Sequence, residues 1–273
     1  MCDDLTCSPD KNLPPIELSD DKRRLFLKGM ISLPLATVLA TPALAAASAK
    51  NVESVFITAE SGERYSAALA MPKNPEGVSA VLLIHEWWGL NDQIKSVAQE
   101  FANQGYIALA VDLYQGKVAT ASEEARKLMA GVNEEYANEA LRGWVEYLKH
   151  NHKAAKVGTI GWCFGGGWSL NTSLIANVDA CVVYYGNMKK SANQLSHLKA
   201  PLLGHFATQD KWINKAMIAG FEQELKASGS KASTQIHWYE ANHAFANPTS
   251  ARYDQQDAAL AWQRTSDFFK QHL

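Results

Sequence analysis

Val157-Gly158-Thr159-Ile160-Gly161-Trp162-Cys163-Phe164-Gly165-Gly166-Gly167-Trp168 decides the architecture. The apolar run 156–162 reads as a strand, and 168–176 carries helical patterning. Between them, Gly161-Trp162-Cys163-Phe164-Gly165 fits G-x-nucleophile-x-G, with cysteine where serine is commoner. The glycines have a physical role. A nucleophile on a strained strand-to-helix bend needs neighbours without a bulky Cβ, so that strand and helix can pack closely. A helix starting beneath Cys163 would favour negative charge on its sulfur. Other glycine-rich turns fit less well. No Lys-Ser/Thr pair follows, so a phosphate loop fails, and G-x-G-x-x-G is absent here.

Outward from this stretch, short apolar runs alternate with helical segments. Upstream, 52–58 and 65–70 flank Glu60-Ser61-Gly62-Glu63 and read as a hairpin. The run 78–85 predicts a strand buried on both faces. Residues 92–103 predict a helix with Ile94, Val97, Ala98 and Phe101 on one face, ended by Gly105. A strand over 106–113 follows, then helical patterning over 122–149, interrupted at Gly131 and Gly143. Downstream, strands are expected at 180–185, 201–206 and 234–239, and helices at 213–228 and 254–272. Such alternation argues for βαβ units: an α/β domain over 50–273, with a mostly parallel sheet covered by helices on both faces. No internal repeat or linker divides it.

The chain order of candidate partners supports a hydrolytic constellation. Asp210 follows the strand at 201–206, and His243 follows the strand at 234–239, so both belong to loops at the carboxyl edge of the sheet with Cys163. Nucleophile, acid, histidine is the order an α/β-hydrolase fold requires. His243 would serve as base toward the thiol and acid toward the leaving alcohol, with Asp210 fixing its tautomer. The competing histidines, His150, His152, His197, His205 and His237, do not follow the last strand. His85-Glu86-Trp87-Trp88-Gly89 closes the third strand. The amides of Trp87 and Phe164 are candidates for an oxyanion hole, which would bring Glu86 near the thiol. His-Glu-x-x-His is incomplete, and no CxxC occurs, so no metal is expected.

The first 49 residues read as an address. Arg23-Arg24-Leu25-Phe26-Leu27-Lys28 resembles a twin-arginine export signal, and no charge occurs over 29–49. Ala43-Leu44-Ala45 and Ala47-Ser48-Ala49 offer small-x-small cleavage patterns. The expectation is removal of 1–49, a periplasmic or secreted enzyme, and no lasting membrane association; the competing reading is a retained anchor. A net charge of -2 gives no reason to expect a nucleic-acid partner. Eight tryptophans serve core packing or line an apolar pocket. Cys163 and Cys181 are either free or paired, and Cys181 sits in an apolar run like a small core residue. No organic cofactor is indicated, and a monomer is expected.

Together, His85-Glu86-Trp87-Trp88-Gly89-Leu90, Ala110-Val111-Asp112-Leu113-Tyr114, Gly161 to Gly166, Tyr184-Tyr185-Gly186 and His243-Ala244-Phe245 resemble the dienelactone hydrolase family. The resemblance runs from about Val52 to the C-terminus. It implies a Cys163, His243, Asp210 triad acting on a small ester or lactone. It also implies that Glu86 pairs with the resting thiol and takes its proton when substrate binds. Residues expected near substrate are Trp88, Tyr114, Gln115, Lys117 and Phe245. Family archetypes hold a substrate carboxylate with two arginines and a serine. Those places carry Gln115 (or Gly116-Lys117), Ala244 and Asn247 here, leaving Lys117 or Arg252 as substitutes. The specific clamp is missing, so the expected substrate is not strictly dienelactone, and a neutral or differently charged ester or lactone is the alternative. A thioesterase, a peptidase or a non-catalytic protein on the same scaffold is the alternative.

Overall fold

The computed structural model describes residues 42–59 and 62–273. The twin-arginine reading therefore falls outside the described residues, as do Glu60 and Ser61 of the first turn. Pro42–Ala49 forms helix α1, which packs against the helix at Asp92–Asn103. No helix among the described residues is long and apolar enough to cross a membrane.

Eight strands form one sheet in the order β1-β2-β4-β3-β5-β6-β7-β8. β1 (Glu53–Thr58) and β2 (Arg64–Ala70) make the expected antiparallel hairpin, and β2 runs antiparallel to β4 (Ile107–Val111). From β4 onward every pairing is parallel, through β3 (Ala80–Ile84), β5 (Val157–Trp162), β6 (Ala180–Tyr184), β7 (Leu202–Ala207) and β8 (Thr234–Tyr239). β3 through β7 read as continuous apolar runs because both of their faces are covered.

On one face, α2 (Asp92–Asn103) presents Ile94, Val97 and Phe101 to a core shared with Phe268 and Phe269 of α8 (Gln255–His272). On the other, α4 (Glu134–His150) buries Leu141, Trp144, Val145 and Leu148. Each such side chain, fully removed from water, stabilises by roughly 1.5–3 kcal/mol. α7 (Lys215–Ser228) covers the far end of the sheet with Ile218 and Phe221. Side-chain caps from Asn91, Asn133 and Asn214 open α2, α4 and α7. A four-residue helix, α6 (Ala192–Leu195), was not evident from periodicity; a Ser191–Gln194 capping box forms it.

Two expectations are corrected. The 122–149 segment breaks into α3 (Ser122–Ala130) and α4 at Gly131, but Gly143 does not interrupt α4. A Cβ there would lie 2.8 Å from Ile57 Cδ1, so this glycine admits β1 rather than ending a helix. The helix after the nucleophile, α5 (Phe164–Ile175), begins four residues earlier than periodicity suggests, because its first turn is the glycine cluster itself. Cys163 and Cys181 are both free thiols, and Cys181 is buried.

Candidate active site

The strand-to-helix bend places Cys163 as the N-cap of α5 with φ 52° and ψ -114°, a left-handed conformation unfavourable for a residue with a Cβ. The flanking glycines make it possible. A Cβ on Gly165 would overlap the Ile84 carbonyl oxygen, and one on Gly161 would overlap the Gly165 carbonyl. Helix α5 is thereby seated directly on β3 and β5, and its N-terminus points at the sulfur.

His243 reaches the sulfur from the loop after β8, with Nε2 3.1 Å from Cys163 Sγ. Its Nδ1 lies 2.6 Å from Asp210 Oδ2, while Asp210 Oδ1 accepts from the amides of Trp212 (2.8 Å) and Ile213 (3.0 Å). A carboxylate acceptor at Nδ1 requires a proton on that nitrogen, which leaves Nε2 free to take one from sulfur. Burial pushes the Asp210 carboxyl up, but its bonds to His243 and the two amides outweigh this and hold it below the ordinary carboxylate value. The three predicted residues thus come together from three separate loops.

Glu86 is buried beside them. Its Oε1 accepts from the Tyr185 hydroxyl at 3.2 Å and its Oε2 from Asn247 Nδ2 at 2.5 Å. Asn247 is itself held: its Oδ1 accepts from Gln93 Nε2, from the Thr249 amide and from the Thr249 hydroxyl. Burial, with the negative Glu86 next to it, pushes the Tyr185 phenol well above its usual value, so it stays a donor. Glu86, Cys163 and His243 border one small void of about 10 Å³. Tyr185 (φ 37°) and Ala244 (φ 64°) join Cys163 in left-handed backbone conformations, so strain collects at the carboxyl edge. His85 is buried and structural. Its Nε2 accepts from the Leu113 amide and its Nδ1 faces the Glu86 carbonyl, while burial lowers its pKa and keeps the ring neutral. His205 is likewise sealed between Tyr239 and Thr265.

A cleft of about 520 Å³ opens onto Cys163 and His243. Trp87, Phe164, Trp168 and Trp212 supply apolar walls, and Lys189, Lys190 and Glu134 the charges. Trp87 and Phe164, the oxyanion-hole candidates, both border it; the Phe164 amide opens α5, where the first amides lack intrahelical acceptors. The five expected substrate contacts do not line this cleft. Tyr114, Gln115 and Lys117 border a separate cavity with Tyr65, Tyr136 and Glu139, because the 112–116 turn is tied to Asp112. Trp88 is turned into a cluster with Ala119 and Ala125 and borders the small void. Phe245 is fully buried against Tyr185 and Tyr239. Arg252 stacks over Trp212 outside the cleft, at 5.2 Å. Tyr185 was legible only as a member of a motif and Asn247 only as the residue at an archetype arginine's place, and Lys190 carried no signal. Among the described residues no group of three metal-ligating side chains occurs.

A family profile described as the dienelactone hydrolase family matches residues 65–273. A carboxymethylenebutenolidase from Pseudomonas putida is 29% identical over 233 residues, covering 79% of this chain and 95% of its own. Protein usf of Aquifex pyrophilus is 29% identical over 225 residues, covering 78% and 96%. Among solved structures, a dienelactone hydrolase-like promiscuous phosphotriesterase from metagenomic libraries superposes with a TM-score of 0.72. It is 20% identical, over 81% of this chain and 98% of the other, and so attests the fold alone. With the α/β-hydrolase sheet, the cysteine at its bend and this match across most of its length, the chain belongs to the dienelactone hydrolase family.

Proposed function

We propose that this protein hydrolyses a small carboxylic ester or lactone through an acyl-enzyme on Cys163. One observation carries the reading: a single imidazole lies 3.1 Å from the sulfur and 2.6 Å from a buried carboxylate, at the floor of an open aromatic cleft. Cys163 sulfur, its proton passed to His243, attacks the carbonyl carbon, and a C–S bond forms. The carbonyl oxygen becomes an oxyanion facing the Trp87 and Phe164 amides. Collapse breaks the C–O bond, and the imidazolium of His243 returns its proton to the leaving alkoxide. Water, deprotonated by the same ring, then attacks the thioester, releasing the acid and restoring the cysteine. Asp210 holds the tautomer and stabilises the imidazolium. Glu86, held by Tyr185 and Asn247, borders the same small void as the sulfur. Receipt of the thiol proton by Glu86 when substrate binds, which the family resemblance implies, is the alternative to transfer to His243 in the first step.

The test is turnover of 4-nitrophenyl acetate and of a small lactone panel by purified 50–273. Cleavage lost in Cys163→Ala supports the reading. Undiminished cleavage in that variant defeats it, and a preference for thioesters or peptides would move the protein to the alternative class.

The same proposal places the mature enzyme outside the cytoplasm, as a monomer, after removal of 1–49. The Arg23-Arg24 pair and the uncharged 29–49 stretch support this. Fractionation of cells expressing the full chain checks it. Replacing both arginines with lysine is expected to retain the protein inside, and unchanged export would remove the twin-arginine route.

A further inference from the structure

The three positions with which the family archetypes clamp a substrate carboxylate hold Gln115, Ala244 and Asn247 here. None offers a cation. Gln115 borders another cavity, Ala244 is buried, and Asn247 is committed to Glu86. Positive charge enters the cleft from a different direction. The loop leaving β6 brings Lys189 and Lys190 to the cleft that holds Cys163 and His243. Lys189 is exposed, whereas Lys190 is half-buried.

Lys190 is also positioned. Its Nζ donates to Asn171 Oδ1 at 2.7 Å, and Asn171 Nδ2 donates to Asn138 Oδ1 at 2.6 Å, so an α4–α5 amide relay fixes the ammonium. An ammonium has three N–H donors. Among the described residues Asn171 is its one hydrogen-bond acceptor, and that acceptor is neutral. Burial lowers the Lys190 pKa, and the opposing influence of Glu134, one turn before Asn138 on α4, is the smaller one. A cation partly stripped of water and held by a neutral amide gains from an anionic ligand. Among the described residues Glu134 is the one carboxylate lining this cleft against the two lysines, and the aromatic walls suit an apolar body between the anion and the scissile bond.

We infer that Lys190, positioned by Asn171 and Asn138, determines specificity in this cleft by selecting esters or lactones with a carboxylate or other anionic group remote from the scissile carbonyl. This rests on the acyl-transfer reading above. It relocates anion recognition to the α4–α5 side of the site.

The experiment compares mono-4-nitrophenyl adipate with 4-nitrophenyl hexanoate, two esters of equal length that differ in a terminal carboxylate. Wild type is expected to favour the adipate in kcat/KM by about tenfold or more, chiefly through KM. Lys190→Gln brings the ratio near unity, Lys190→Glu inverts it, and Lys190→Arg keeps most of it. If a variant fails to fold by circular dichroism, the wild-type ratio is followed from about 0.05 to about 0.5 M salt, where screening should shrink it. A flat ratio in wild type, a wild-type ratio in folded Lys190→Gln, or a ratio indifferent to salt overturns the Lys190 assignment alone, provided turnover still depends on Cys163. Turnover that survives Cys163→Ala overturns the acyl-transfer reading and this inference with it.

Discussion

Replacing Asp210 with asparagine keeps the shape of the side chain and reverses the chemistry of one atom. Asp210 Oδ1 accepts two backbone amides, from Trp212 and Ile213, at 2.8 and 3.0 Å. Those donors, one buried and one part-buried, need an oxygen, so the asparagine carbonyl must stay with them. Its NH2 then takes the place of Oδ2, 2.6 Å from His243 Nδ1. A donor there forces Nδ1 to accept, which puts the ring proton on Nε2, facing Cys163 Sγ. A ring in that tautomer cannot receive the thiol proton. The comparable change in a serine triad lowers kcat by about 10⁴. A thiol ionises more readily than a hydroxyl, so we expect a loss of about 10³-fold in kcat/KM, or ~4 kcal/mol of transition-state stabilisation. The fold should tolerate it, since both backbone bonds persist. The lost charge-assisted bond costs about 1.5–3 kcal/mol, which at this size lowers Tm by roughly 3–12 °C. The assay is 4-nitrophenyl acetate turnover with a thermal melt on the same preparation. Activity within tenfold of wild type would refute the tautomer argument, and complete unfolding would refute the claim that the amide bonds survive.

Three further outcomes follow from the packing and the charges. Gly165→Ala should abolish soluble expression, because its Cβ overlaps the Ile84 carbonyl, whereas Gly220→Ala, which meets nothing at an exposed position of α7, should stabilise by about 0.5–1 kcal/mol in a denaturant melt. Tyr185→Phe removes the Oε1 donor of buried Glu86 and should cost about 1.5–3 kcal/mol in stability and lower kcat/KM, measured by urea unfolding and ester turnover. The folded pKa of Asp210 is depressed, so its contribution is fully present above the unfolded value of about 3.9 and is lost as pH falls through the folded value. Tm should therefore hold steady down to about pH 5 and fall below about pH 4, with a smaller fall in Asp210→Asn; identical slopes would count against the pairing.

The sheet could be read in advance because β3 through β7 are buried on both faces and so appear as unbroken apolar runs between helical periods. The triad could be read because sheet topology sends each loop that follows a parallel strand to the same edge, which makes chain order a guide to proximity. The cleft walls lacked such a rule. Tyr114, Gln115 and Lys117 follow a strand at the right edge, but Asp112 ties their turn toward another cavity. Phe245 lies two residues after a catalytic candidate in sequence, yet the left-handed Ala244 turns it into the core. Lys190 lies on an irregular loop whose path depends on α5, and its partners Asn171 and Asn138 sit on two different helices, so no spacing links them. Gly143 was misread because its contact, Ile57, comes from a strand 86 residues earlier.

The most direct test of the account is identification of the acylated residue during turnover. Purified 50–273 is mixed rapidly with excess 4-nitrophenyl acetate, quenched in acid, digested and sequenced by mass spectrometry, while released nitrophenol is followed in parallel. The account expects one acetyl group on the Cys163 peptide, formed no more slowly than the steady-state rate, and absent in Cys163→Ala together with activity. Full hydrolysis with Cys163 never acylated, or acylation confined to another residue, would contradict it.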